Sequence, residues 1–155
     1  MPKVIEGNLS AKGLRIAIAA GRFNDFITNR LIDGAIDVIA RSGGDVEGTV
    51  LMKVPGSFEL PLAAKALAES GRYDAIVCLG AVIRGDTPHY EHVASQMARG
   101  ISSVMLGSGV PVSFGVITAD SLEQAIERAG AKDGNKGATA ALSAIETANA
   151  LKALK

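Results

Sequence analysis

Apolar residues along this chain fall into two alternating patterns. Apolar-rich runs of strand length, Leu14–Ala20, Gly48–Val54, Ala75–Ile83 and Pro111–Thr118, are separated by segments in which apolar positions recur every three or four residues. A nearly continuous apolar run suits a strand buried on both faces of a parallel sheet, whereas the longer spacing puts one stripe of a helix against that sheet. The alternation predicts βα units, with helices covering both faces of a four-stranded parallel sheet. Ala75–Ile83, the most continuously apolar run, is expected at the centre.

The first helix carries Leu31, Ile32, Ala35, Ile36 and Ile39, with Asn24 as N-cap and Ser42-Gly43-Gly44 as its stop. A second, with Leu60, Ala64 and Leu67, follows Pro55-Gly56-Ser57. Ser57 is its expected cap, and Pro61 falls in the first turn, where an N–H has no helical partner. Val93, Met97, Ile101 and Met105 mark a third helix, and Asp120 with Glu123 has capping-box spacing for a short one ending at Ala129. The last helix presents Ala141, Leu142, Ile145 and Ala148. Before Leu14 the only β-like stretch is Lys3–Glu6, expected to join a sheet edge or a neighbouring subunit; residues 1–155 read as one domain with residues 1–13 as its arm.

Composition narrows the possibilities. Lysine plus arginine and aspartate plus glutamate are both 16, so no charge excess points to nucleic acid or to an anionic membrane surface. Cys78 lies in an apolar run, where a thiol packs as a small hydrophobe, and a lone cysteine forms no internal disulfide. The start of the chain, Met1-Pro2-Lys3-Val4, opens no stretch resembling a signal peptide or a membrane span, so the cytoplasm is the expected location. Aromatic residues make up 4% and tryptophan is absent, leaving Ile, Val, Leu and Ala to fill the core. Such a chain can also bury flat surface between subunits, and composition does not separate the two.

Ligands of open parallel sheets bind beyond the carboxyl ends of the strands, where the chain's distinctive residues fall. Phe23 can stack on a planar heterocycle or plug the core. Glu59 and Ser57 can accept or donate hydrogen bonds to ligand hydroxyls; alternatively, Glu59 is a solvated carboxylate favoured by a helix N-terminus. Gly85-Asp86-Thr87 can hold a phosphate between a strand and a helix, although Asp86 opposes this unless it turns away, and the Walker spacing is absent. His89 is the acid–base candidate because imidazole titrates near neutral pH. His92 three residues on makes a poor zinc site without a cysteine and carboxylate pattern. Arg128 and Lys136 are either solvated charges or fixed positive charge for an anion, and Phe114 either walls a pocket or fills the sheet.

Together these segments resemble the lumazine synthase family over nearly the whole chain. The resemblance rests on Gly21-Arg22-Phe23-Asn24, Val54-Pro55-Gly56-Ser57-Phe58-Glu59-Leu60-Pro61, Gly80 through Tyr90, Gln124 through Gly130, and Gly134-Asn135-Lys136-Gly137. It implies a flavodoxin-like three-layer αβα sandwich with strand order 2-1-3-4. The reaction implied joins 5-amino-6-ribitylaminouracil to 3,4-dihydroxy-2-butanone 4-phosphate, giving 6,7-dimethyl-8-ribityllumazine, phosphate and water, with no metal or redox cofactor.

By matching position, the resemblance places Phe23 on the pyrimidine, Ser57, Phe58 and Glu59 at the ribityl chain, and Val82 and Ile83 at the ring through their backbone, with Asn24 also among the substrate-binding residues. It assigns Gly85, Asp86, Thr87 and Arg128 to the phosphate and proton transfer to His89, with Phe114, Arg128 and Lys136 supplied by an adjacent subunit. It also implies pentamers, icosahedral shells of pentamers, and riboflavin synthase as an enclosed partner. The compact Gly130–Gly137 turn resembles shell formers, while Asp133 departs from the small residue usual there. A non-catalytic flavin-binding relative would keep Phe23 but lose His89 or Arg128, and both are present here. A cargo shell is compatible with catalysis.

Overall fold

The computed structural model describes residues 1–85, 90–131 and 134–155. Four strands, β1 (Ile16–Gly21), β2 (Val50–Val54), β3 (Ala75–Ile83) and β4 (Val112–Ala119), form one parallel sheet in the order β2-β1-β3-β4. Among the described residues five helices connect or flank them: α1 (Asp25–Arg41), α2 (Leu60–Glu69), α3 (Tyr90–Ser108), α4 (Leu122–Arg128) and α5 (Lys136–Leu154). A single 3-10 turn, Ser57–Glu59, precedes α2. The expected order 2-1-3-4 and the three-layer α/β arrangement are both observed.

The sheet separates two apolar layers. Ile16, Ile18, Val77, Leu79 and Ile117 point to one side and pack with α1, α4 and α5, while Ala17, Ala19, Ile76, Cys78 and Val116 point to the other and pack with α2 and α3. This is the alternation of a strand covered on both faces, and all nine residues of β3 are buried, as its apolar run requires. Cys78 is fully buried, and burial pushes its thiol up to about 12, so it is packing rather than chemistry.

Several local expectations change. Lys3–Glu6 form no edge strand in this sheet. Asn149 Nδ2 donates to the carbonyls of Asn8 and Ser10, both at 2.8 Å, and Gly7 lies against the backbone of α5, so the arm is drawn onto the helical layer. The short fourth helix is capped by Ser121, not Asp120: Ser121 Oγ accepts from Gln124 N–H at 3.2 Å, while the Asp120 carboxylate is taken by Arg84 Nε at 3.0 Å. Leu142 faces outward, because the buried stripe of α5 is Gly137, Ala140, Ala141, Ala144, Ile145 and Ala148. Ser57 does not cap α2; it is buried in the 3-10 turn, and Glu59 occupies the cap position.

Candidate active site

The loop after β1 is built by backbone bonds to the loop after β2. Arg22 N–H donates to Val54 O at 2.8 Å and Phe23 N–H to Pro55 O at 2.9 Å, extending the strand ladder beyond the sheet. Asn24 then turns the chain into α1 with a left-handed backbone, φ 62°, ψ 43°. It holds the N-cap position without the side-chain cap expected of it. Its Nδ2 instead donates to Ala81 O at 3.1 Å, fastening the loop to β3. Phe23, bounded on both sides by these bonds, is left 56% exposed, which removes the reading that it plugs the core.

These loops enclose a cleft of about 220 Å³ at the carboxyl ends of β1, β2 and β3. Phe23, Asn24, Ser57, Phe58, Glu59, Val82 and Ile83 all line it, together with Gly56, Ala81 and Val93, which sequence reasoning had not singled out as site residues. Val93 stood on the apolar stripe of α3 and read as core; its place in the first turn after the β3 loop was the signal that could have marked it. The cleft is mostly apolar, with the Glu59 carboxylate, the buried Ser57 hydroxyl and the Asn24 amide as its few polar side chains. An apolar cleft with a few convergent polar groups is the usual composition of a small-molecule site. Gly80 leaves room for Ser57, since a Cβ there would press on Ser57 Oγ.

A second cavity, of about 430 Å³, follows the outer edge of β4 and is lined by Phe114, Val116, Ile117, Thr118, Arg128 and Lys136. Arg128 Nη1 donates to Thr118 O at 2.9 Å, which aims the last turn of α4 at the strand. The two cations and the half-exposed ring of Phe114 give this cavity the character of an anion site beside an aromatic wall. None of the residues lining it also lines the first cleft. The chain thus separates the ring-stacking candidate Phe23, at the strand ends, from the cations Arg128 and Lys136, on the outer edge of the sheet.

The expected phosphate loop is placed only at its ends. Gly85 leaves β3 with φ 93°, a left-handed angle that glycine adopts without strain, whereas Asp86, Thr87 and His89 lie outside the described residues. Arg84 ties both ends of that segment: it pairs with Asp120 at 3.0 Å and Glu91 at 3.5 Å, and its guanidinium lies 4.8 Å from the Tyr90 ring centre. Lys132 and Asp133 of the Gly130–Gly137 turn also lie outside the described residues. Among the described residues no helix is long and apolar enough to cross a membrane.

Fold and site define a three-layer α/β protein with an aromatic-lined cleft at the strand ends and a separate cationic pocket along β4. The family model described as 6,7-dimethyl-8-ribityllumazine synthase matches residues 13–152. A protein of Desulfatibacillum aliphaticivorans named 6,7-dimethyl-8-ribityllumazine synthase is 54% identical over 155 residues, covering 100% of both chains. The chain belongs to the 6,7-dimethyl-8-ribityllumazine synthase family.

Proposed function

We propose that this protein condenses 5-amino-6-(D-ribitylamino)uracil with 3,4-dihydroxy-2-butanone 4-phosphate to form 6,7-dimethyl-8-ribityllumazine, phosphate and water, the penultimate step of riboflavin biosynthesis. The observation that carries this reading is the pairing, on a chain of this family, of an exposed Phe23 over an apolar cleft with a separate Arg128–Lys136 pocket. Phe23 stacks on the pyrimidine, Ser57, Phe58 and Glu59 bind the ribityl hydroxyls, and Val82 and Ile83 meet the ring edge. Arg128, with Gly85, Asp86 and Thr87, holds the phosphate.

The substrate amine attacks the ketone to give an imine with loss of water. Phosphate then leaves, the remaining chain tautomerises, and the ribityl-bearing nitrogen closes the ring on the second carbonyl with loss of water. His89 carries protons between these steps. Holding two reactants in register contributes most of the acceleration, because a bimolecular condensation otherwise loses translational and rotational freedom. Arg128 stabilises the departing phosphate as charge collects on it.

The separation of the two partial pockets supports a cyclic assembly in which the β4 edge of one subunit meets the strand-end cleft of the next. A heterologous interface closes into a ring when the rotation between neighbours is a whole fraction of a turn. We infer a pentamer, with a shell of pentamers and enclosed riboflavin synthase as its extension, acting as single-domain subunits in the cytoplasm. Exposed Phe26, Leu62 and Phe114 supply apolar surface for the subunit contacts. Light scattering that shows only monomers would remove this assembly, and scattering or negative-stain images that show only pentamers would remove the shell.

The deciding experiment is the absorbance of the lumazine product when purified protein meets both substrates, with Arg128→Ala assayed beside it. Product from the wild type, and a variant defective chiefly at low sugar phosphate, are expected. An assembled wild type that gives no product above the uncatalysed rate overturns the proposal in favour of a non-catalytic flavin binder.

A further inference from the structure

Asn135 lies immediately before α5 and lines neither pocket, yet its side chain joins three elements. Its Oδ1 accepts from Ala138 N–H at 3.0 Å, capping α5, while Nδ2 donates to Arg30 O of α1 at 3.0 Å and to Ala129 O, just past α4, at 3.4 Å. The backbone adds an antiparallel bridge between Ala129 and Asn135, and Gly130 N–H donates to Gly134 O at 2.7 Å. Ala129 directly follows Arg128, and Asn135 directly precedes Lys136. The residues fastened by this amide are therefore the immediate chain neighbours of the two cations in the pocket along β4.

The packing around the amide is equally specific. A Cβ at Gly34, in the middle of α1, would overlap the Asn135 side chain, and one at Gly137 would overlap Leu31 O. Two glycines thus bring α1 and α5 close enough for Asn135 to reach the Arg30 carbonyl. Capping alone does not ask for asparagine: serine and aspartate cap equally well, and aspartate also favours the helix dipole. What only the amide supplies is the Nδ2 donor to two carbonyl oxygens.

Building on the proposed phosphate role of this pocket, we infer that Asn135 is a positioning residue that holds Arg128 and Lys136 at a fixed mutual spacing. Two like charges repel, and each stands on a long flexible side chain at the end of a different helix. Stapling Ala129 to Asn135 sets the separation of their backbones before the sugar phosphate arrives, so its binding does not have to fix that spacing.

The test compares wild type, Asn135→Asp, Gly34→Ala and Arg128→Ala as assembled proteins, by steady-state kinetics in each substrate and by calorimetric titration with inorganic phosphate. Asn135→Asp keeps an acceptor for the α5 cap but has no donor for Arg30 O or Ala129 O. Gly34→Ala keeps asparagine at position 135 and improves the helix propensity of α1, but its methyl displaces the Asn135 amide. Both should raise KM for the sugar phosphate and weaken inorganic phosphate on the order of tenfold, with KM for the pyrimidine changed less than about twofold.

If Asn135→Asp binds phosphate like the wild type, Asn135 is only a cap and the inference is overturned. Should Asn135→Asp fail to assemble, Gly34→Ala decides, and wild-type phosphate affinity in it overturns the inference. If Arg128→Ala also leaves sugar-phosphate KM and phosphate binding unchanged, the phosphate reading of the pocket has failed, and the role of Asn135 fails with it.

Discussion

The side-chain amide of Asn24 reaches across to the carbonyl oxygen of Ala81 at 3.1 Å, so the loop that carries Phe23 is fastened to the end of the central strand. The same residue supplies a left-handed turn, φ 62°, that asparagine tolerates better than most side chains. Asn24→Ala loses both features and should cost about 1–2 kcal/mol in urea unfolding. Asn24→Gly restores the turn but not the bond. Glycine should therefore recover part of the stability while KM for the pyrimidine stays raised, and full recovery of both would show that the bond to Ala81 does not position Phe23.

Phe23 is 56% exposed, so its truncation leaves little cavity. Phe23→Ala is expected to change stability by less than about 0.5 kcal/mol, as for a surface substitution. Loss of ring stacking and of buried area should raise KM for the pyrimidine by roughly tenfold. Equal loss of stability and affinity, read by denaturation and kinetics, would mean that Phe23 is structural.

On the proposed mechanism, His89 contributes proton transfer to a reaction accelerated mainly by the alignment of its two substrates. His89→Ala should lower kcat by on the order of 10²-fold and leave a rate clearly above the uncatalysed reaction. A fall to background in an intact assembly would make proton transfer, and not alignment, the main source of the acceleration.

Asp74 ties the starts of β1 and β3, accepting from Arg15 N–H at 2.7 Å and from Arg15 Nη2 at 3.1 Å. Partial burial pushes its carboxyl up, but the Arg15 hydrogen bonds and charge outweigh this and hold it below the usual 3.8. Its stabilisation is present above the unfolded pKa and is lost as pH falls through the lower folded value. Asp74→Asn should be less stable near neutral pH by about 1 kcal/mol at most, since solvent screens the pair. Urea unfolding across the acid range should show the wild type losing stability more steeply than the variant below pH 3.8.

The cleft at the strand ends was largely legible in the chain. Phe23, Ser57 and Glu59 stand within short reach of strand ends, which a parallel sheet brings together whatever its other details, while Phe58, Val82 and Ile83 were marked only by the family resemblance. Val93 was not, because a residue on an apolar helix stripe reads the same whether it faces a core or a cavity. The stapling role of Asn135 was hidden for a different reason. Its partner Arg30 is 105 positions away, and no local pattern reveals that a carbonyl inside α1 lies beside the α5 cap.

By itself, then, the order of apolar runs and helical stripes determined the layers, the parallel sheet and the burial of β3 and Cys78, since these follow from periodicity and from excluding apolar side chains from water. Tertiary structure decided what depends on alternative partners for one polar group. Asn24 bonds Ala81 instead of its own helix, Ser121 caps α4 while Asp120 is held by Arg84, and the arm follows α5 and not a sheet edge. In each case several partners satisfy the same donor or acceptor, and only the packing of distant segments selects one.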